Sequence, residues 1–170
     1  MSSPQRKPSS DDPTENSLWR PVWKLLNTID QQIAALYEEA NLAEVRPRYV
    51  GPLIRLGRHA PMTIRELADA MSMTHSALSQ TISAMQKDGL VESLPGEDAR
   101  TKQVQLTEKA KAVLPFLEAE WRATEAVLHE IEQEIPYPLT RVVRDIEQVL
   151  GRHSFRDRLR QHLPDTEGER

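Results

Sequence analysis

A mainly α-helical fold with one two-stranded β-hairpin is what this 170-residue sequence predicts. Three observations carry it. Apolar residues recur at three- and four-residue spacing over most of the chain. Residues 63–107 run through a capped short helix, a turn, a second helix and a charged hairpin with no gap. Further amphipathic helices flank that stretch on both sides.

The first helix is expected over 17–40, apolar from Leu18 to Tyr37 at helical spacing. Ser17 is placed to cap it, and Pro21 falls in its first turn, where a missing N–H is harmless. Pro47 and Pro52 bracket the next turn, and a second helix over 47–58 buries Val50, Leu53, Ile54 and Leu56. Thr63 and Glu66 form a capping box that opens a third helix, with Ile64, Leu67, Ala68 and Met71 inward. Thr74 caps a fourth helix, in which Leu78, Ile82 and Met85 face the core and Gly89 supplies the left-handed end. Strands follow near 90–94 and 101–106, joined by the turn-forming run Pro95-Gly96-Glu97-Asp98-Ala99. Thr107 then caps a long helix over 108–134, where Pro115 should make a kink or an irregular start. Ile135-Pro136-Tyr137-Pro138 breaks it. A last helix starts at 139, with an apolar face from Leu139 to Leu150, and its pattern continues past Gly151 to Leu163.

The bulk numbers narrow the function. Cysteine is absent, so disulfides, thiolate catalysis and thiol redox sensing are excluded. No run of 18 apolar residues occurs, and the N-terminus lacks the apolar segment of a signal peptide, so a cytoplasmic protein is expected. The net charge of −4 argues against nucleic acid, but its distribution does not. Residues 46–111 carry 10 basic and 7 acidic side chains, whereas residues 112–150 carry 3 and 8. A local basic face binds phosphate even on an acidic chain, because salt confines electrostatics to about 8–10 Å. Nothing points to catalysis: there is no Gly-rich phosphate loop, nucleophile elbow or metal-ligand spacing. The one cluster that could attract a metal is His129-Glu130 with Glu125 and Glu132, and a solvated acidic face is its plain alternative. No metal and no cofactor are expected.

The middle of the chain thus has the layout of a winged helix-turn-helix that reads duplex DNA. On the fourth helix, His75, Ser76, Ser79, Gln80, Ser83, Gln86 and Lys87 lie opposite the core residues. Gln80 can pair bidentately with adenine, and the serines can bond phosphates or base edges. At the hairpin, Arg100 has the reach and planar head to enter a narrow minor groove. Asp98 can hold its guanidinium, and Lys102 adds a phosphate contact. Polar helix faces and charged turns also arise with no such role; it is their succession that points to DNA.

The run from Leu67 to Ala110 resembles the MarR family of transcriptional regulators. It does so in Leu67-Ala-Asp-Ala-Met71, the Ser/Thr-rich start at 74–79, Asp88-Gly-Leu-Val91, Asp98-Ala-Arg100 and Leu106-Thr-Glu-Lys-Ala110. The resemblance implies a homodimer with interlocked terminal helices. It implies a pseudo-palindromic operator, with the recognition helix in the major groove and the wing in the minor groove, and often an aromatic or amphipathic effector. Trp19, Trp23, Tyr37, Tyr49 and Trp121 could line a pocket for one, although aromatics at helical spacing are more often core or interface. Departures from the family occur at Gln80, Ala84 and Ser93-Leu94, where many relatives are basic, and at Ala110, where Gly is usual. Phosphate grip could then come from Arg46, Arg48, Arg55, Arg58 and Lys87.

The organisation expected is a disordered tail over 1–16, a dimerisation helix over 17–45, the DNA-binding domain over 46–110, dimerisation helices over 111–163 and a tail over 164–170. The expected function is a ligand-responsive homodimeric repressor. A winged-helix protein–protein adaptor and a helical ligand-binding dimer stand as alternatives.

Overall fold

The computed structural model of the chain describes residue 12 and residues 14–95 and 102–164. The chain divides into two compact units, Met1–Leu117 and Glu118–Arg170, and the dividing point falls inside one helix. The fold is mainly helical, with a small antiparallel sheet.

The first unit contains α1 (Arg20–Glu39), α2 (Pro47–His59), β1 (Met62–Thr63), α3 (Ile64–Ala70), α4 (His75–Lys87), β2 (Val91–Pro95), β3 (Lys102–Leu106) and the start of α5 (Glu108–Glu134). Its core gathers Tyr37 from α1, Tyr49, Val50, Leu53 and Leu56 from α2, Leu67 from α3, and Leu78, Ile82 and Met85 from α4. Leu90, Val91, Val104, Leu106 and Leu117 extend it, with Val45, Ala68 and Ala110. The three-residue set Leu78, Ile82 and Met85 is buried as its spacing requires, while Ile54, Ile64 and Met71 are only partly buried.

Local chemistry sets most boundaries. α1 begins at Arg20 with Trp19 as N-cap and no side-chain cap, so Ser17 does not cap it; Arg20 N–H instead donates to the Ser17 carbonyl at 3.1 Å. Pro47 starts α2, and Pro52 lies within that helix rather than bounding a turn. Pro52 has no N–H for the Arg48 carbonyl, and its ring is buried instead. The capping box at α3 is formed: Thr63 Oγ1 accepts from Glu66 N–H at 3.2 Å, and the Glu66 carboxylate accepts from Thr63 N–H at 2.7 Å. Helices α1, α3 and α4 all end in the paired turn hydrogen bonds of a Schellman motif. Their left-handed residues are Asn41 (φ 59°), Ser72 (φ 52°) and Gly89 (φ 72°). At α4, Leu90 N–H reaches the Met85 carbonyl at 2.9 Å and Gly89 N–H reaches Gln86 at 3.1 Å.

The sheet order is β1-β3-β2, all antiparallel. The hairpin pairs Val91 with Leu106 and Pro95 with Lys102. The two-residue β1 adds a third strand that the hydropathy pattern does not announce, Met62 lying against Val104.

α5 runs as one helix through Pro115, capped by Thr107, whose Oγ1 accepts from Ala110 N–H at 3.3 Å. The second unit completes α5 and adds α6 (Leu139–Arg152) and α7 (Phe155–His162). The last helix therefore does not continue past Gly151 as one rod. It stops at His153, and Ser154 starts a new helix by accepting from Asp157 N–H at 3.2 Å. Glu132 caps α6 across the break, its carboxylate accepting from Thr140 N–H at 2.7 Å and Thr140 Oγ1 at 2.8 Å. No residue of α6 or α7 is buried.

Candidate nucleic-acid interface

α4 is capped at its start, tied to its neighbours at its far end, and exposes one polar face. At its start Thr74 Oγ1 accepts from Ala77 N–H at 3.2 Å. On its inner side Thr81, the buried polar residue of the core, donates back to the Ala77 carbonyl at 3.1 Å. His75, Ser76, Gln80, Ser83 and Lys87 are exposed, and Ser79 is half-buried. Ser83 Oγ donates to the Ser79 carbonyl at 2.9 Å, which leaves its lone pairs outward. Gln86 is not directed outward alone: its Nε2 donates to Ser93 Oγ on β2 at 2.6 Å.

The far end of α4 is tied by a cluster that spacing alone did not reveal. The buried Tyr49 donates from its hydroxyl to Asp88 Oδ2 at 2.9 Å. Burial, then the Asp88 hydrogen bond, raises the phenol above its ordinary value of 10.0, so it stays a donor. The Arg46 and Arg48 guanidinium groups flank the Tyr49 ring at 5.8 and 5.4 Å from its centroid. Lys109 on α5 bonds Glu44 Oε1 at 2.8 Å and reaches the Asp88 carbonyl at 3.4 Å. The Lys109 hydrogen bond is the main reason the Glu44 carboxyl sits below its usual 4.5. These partners come from α2 and the loop before it, the end of α4, and α5, so no local motif marks them.

In the hairpin, Lys102 is exposed at the start of β3, opposite Pro95. Asp98 and Arg100 lie outside the described residues. Glu92 and Gln105 face each other across the ladder, Gln105 Nε2 donating to Glu92 at 2.7 Å.

The five aromatics do not share one environment. Tyr37 and Tyr49 are core residues, Tyr37 edge-on to Phe116 with ring centroids 6.4 Å apart. Trp19 at the N-cap of α1, Trp23 on α1 and Trp121 on α5 are exposed. A groove of about 340 Å³ lies in the second unit instead, lined by Val142, Ile146, Val149 and Leu150 with Asp145 and Arg158. Of the acidic cluster near His129, Glu132 is engaged with Thr140, and its carboxyl is lowered chiefly by that backbone hydrogen bond. Among the described residues no group of three or more His, Asp or Glu side chains is placed to hold a metal.

A capped helix pair whose second helix shows a polar face, joined through a left-handed turn to a β-hairpin, is a winged helix-turn-helix, the architecture of a DNA-binding protein. Residues 47–101 match the family model described as MarR family. The match spans 55 of the 170 residues, the stretch from α2 into the hairpin, so the likeness to the MarR family is carried by the winged helix-turn-helix. An HTH-type transcriptional regulator of Bacillus cereus is 26% identical over 131 residues, covering 74% of this chain and 88% of that relative. Among solved structures, the S. aureus MepR–DNA complex overlays with a TM-score of 0.60 at 14% identity, covering 79% of this chain and 97% of that one. The M. tuberculosis transcriptional regulator MOSR in complex with DNA gives 0.57 at 23% identity, covering 79% and 93%.

Proposed function

We propose that the chain acts as a homodimeric repressor on a pseudo-palindromic operator. Each subunit sets α4 into the major groove and Arg100 of the hairpin into the minor groove. Gln80 reads adenine, while His75, Ser76, Ser79, Ser83 and Lys87 contact phosphates or base edges. Asp98 orients Arg100, and Lys102 adds a phosphate contact. The observation that carries this reading is α4 itself: a helix capped at its start and tied at its far end, packed by Leu78, Ile82 and Met85, with its small polar side chains outward. Small side chains let a helix backbone approach base edges closely. That MepR and MOSR were both solved with DNA on a similar fold supports the same use here.

Dimerisation is supported by apolar side chains that the chain itself leaves uncovered. Leu18, Trp19, Trp23 and Leu26 around α1, and Val142, Val143, Ile146 and Val149 on α6, are all more than a third exposed. A small lipophilic or aromatic compound is proposed to release the DNA, with the exposed Trp19 and Trp23 as its contacts. Tyr37 and Tyr49, already packed in the core, are the weaker members of that set.

Selection of bound duplexes from a random pool tests the reading. The expected result is a palindrome with half-sites about 10 bp apart, one helical turn, as a two-fold dimer requires. A pool with no enriched sequence would favour a protein–protein adaptor.

A further inference from the structure

We infer that Gln86 and Ser93 form a strut that fixes the angle between the recognition helix and the wing, with Gln86 acting through Ser93 rather than on a base. The inference rests on the proposal that α4 and the hairpin contact one duplex. α4 and β2 are joined by Asp88-Gly89-Leu90, where the Schellman hydrogen bonds and the buried Leu90 pin their near ends. The β1–β3 pairing and the buried Val91, Val104 and Leu106 also hold the base of the hairpin to the core, but none of them ties β2 to α4 by a polar contact. Gln86 lies three residues before Gly89 and Ser93 four after it. Their 2.6 Å hydrogen bond adds a direct polar tie between the helix and the strand, outward of the turn. Among the described residues it is the one side-chain hydrogen bond between α4 and the sheet. The neighbouring Glu92 bonds within the ladder to Gln105 and adds nothing across it.

The strut matters because the hairpin is a lever. Pro95 and Lys102 lie two residues beyond Ser93, about 7 Å further along the strand. A small rotation at Gly89 is therefore magnified where the hairpin would meet the minor groove. Fixing that rotation before binding removes an ordering cost from the DNA complex.

The test uses the full chain, the duplex enriched from the random pool, and the variants Gln86→Ala, Ser93→Ala, their double, and Ser93→Thr. Each single alanine variant should weaken binding by about 3- to 10-fold, the range of one hydrogen bond. The double should be no weaker than the worse single. Ser93→Thr keeps the hydroxyl and should stay within about twofold of wild type. A second measurement needs no DNA. The chain has no cysteine, so spin labels on Ser83→Cys and Lys102→Cys report the helix–hairpin distance cleanly. That distribution should broaden in Gln86→Ala and in Ser93→Ala. Distances that stay sharp in both variants, or losses that multiply in the double, overturn the strut. A Gln86→Ala variant that loses base preference while Ser93→Ala binds normally overturns it in favour of base reading. If the wild-type chain enriches no DNA while the distances still broaden, the DNA-reading proposal falls and the mechanical coupling stands.

Discussion

At the level of single residues, side chains that follow a local period were readable from sequence, and those that bridge elements were not. Leu78, Ile82 and Met85 are buried because they recur on one helix face, and Gly89 takes φ 72° where the helical pattern ends. Tyr49 and Asp88 are 39 residues apart, and their hydrogen bond exists only after α2 packs beside the end of α4. Ser72 was equally silent, since nothing in its chemistry marks a left-handed position, yet it sits at φ 52° in the turn before α4. A β-carbon there is strained, so Ser72→Gly should stabilise the chain by about 0.5–1 kcal/mol, relief of strain less glycine's greater chain entropy. A urea midpoint that fails to rise would contradict that conformation. Arg100→Ala should weaken operator binding by about 1–3 kcal/mol, the scale of one groove contact, and unchanged affinity in a gel-shift titration would remove Arg100 from the interface. Gln80→Ala should flatten sequence preference more than it lowers affinity for random DNA; an equal loss on all duplexes would assign Gln80 to phosphate instead.

Among the elements, every helix after α1 within residues 47–134 begins where composition indicated, because Pro47, Thr63, Thr74 and Thr107 act through short-range chemistry. The misses have physical causes as well. β1 is two residues long, too short for any period, and forms only because β3 offers a free edge. The break before α7 was hidden because the apolar spacing continues across it, although Ser154-x-x-Asp157 is itself a capping pattern. Several of these contacts depend on ionised carboxylates. Glu66 and Glu132 are both held below their usual 4.5, first by backbone hydrogen bonds from Thr63 and Thr140. A lowered folded value means the contribution is present above 4.5 and is lost as the pH falls through the lower value. Thermal melts should therefore drop as solutions are acidified below 4.5, and Glu132→Gln should show a smaller drop for the second unit. Parallel losses in wild type and variant would mean that the Glu132 cap contributes nothing to it. Thr63→Ala should cost about 0.5–2 kcal/mol at neutral pH, read from a denaturation midpoint.

For the molecule as a whole, the fold class and the succession of helices and hairpin were legible, since each follows from hydropathy and turn residues over the chain. What covers the outer apolar faces was not encoded in any local window. If the proposed dimer forms, sedimentation should give twice the 19.4 kDa mass of the chain, with dissociation only on dilution. A monomer mass at every concentration would refute it.

The absence of any buried residue in α6 and α7 has one more consequence. A helical unit without a closed interior draws its stability from whatever covers it, so its folding obeys mass action. Its melting temperature should climb with protein concentration while that of residues 47–106 stays nearly constant. The cell's copy number would then set two things at once: how much operator is occupied, and how much of each chain escapes proteolysis.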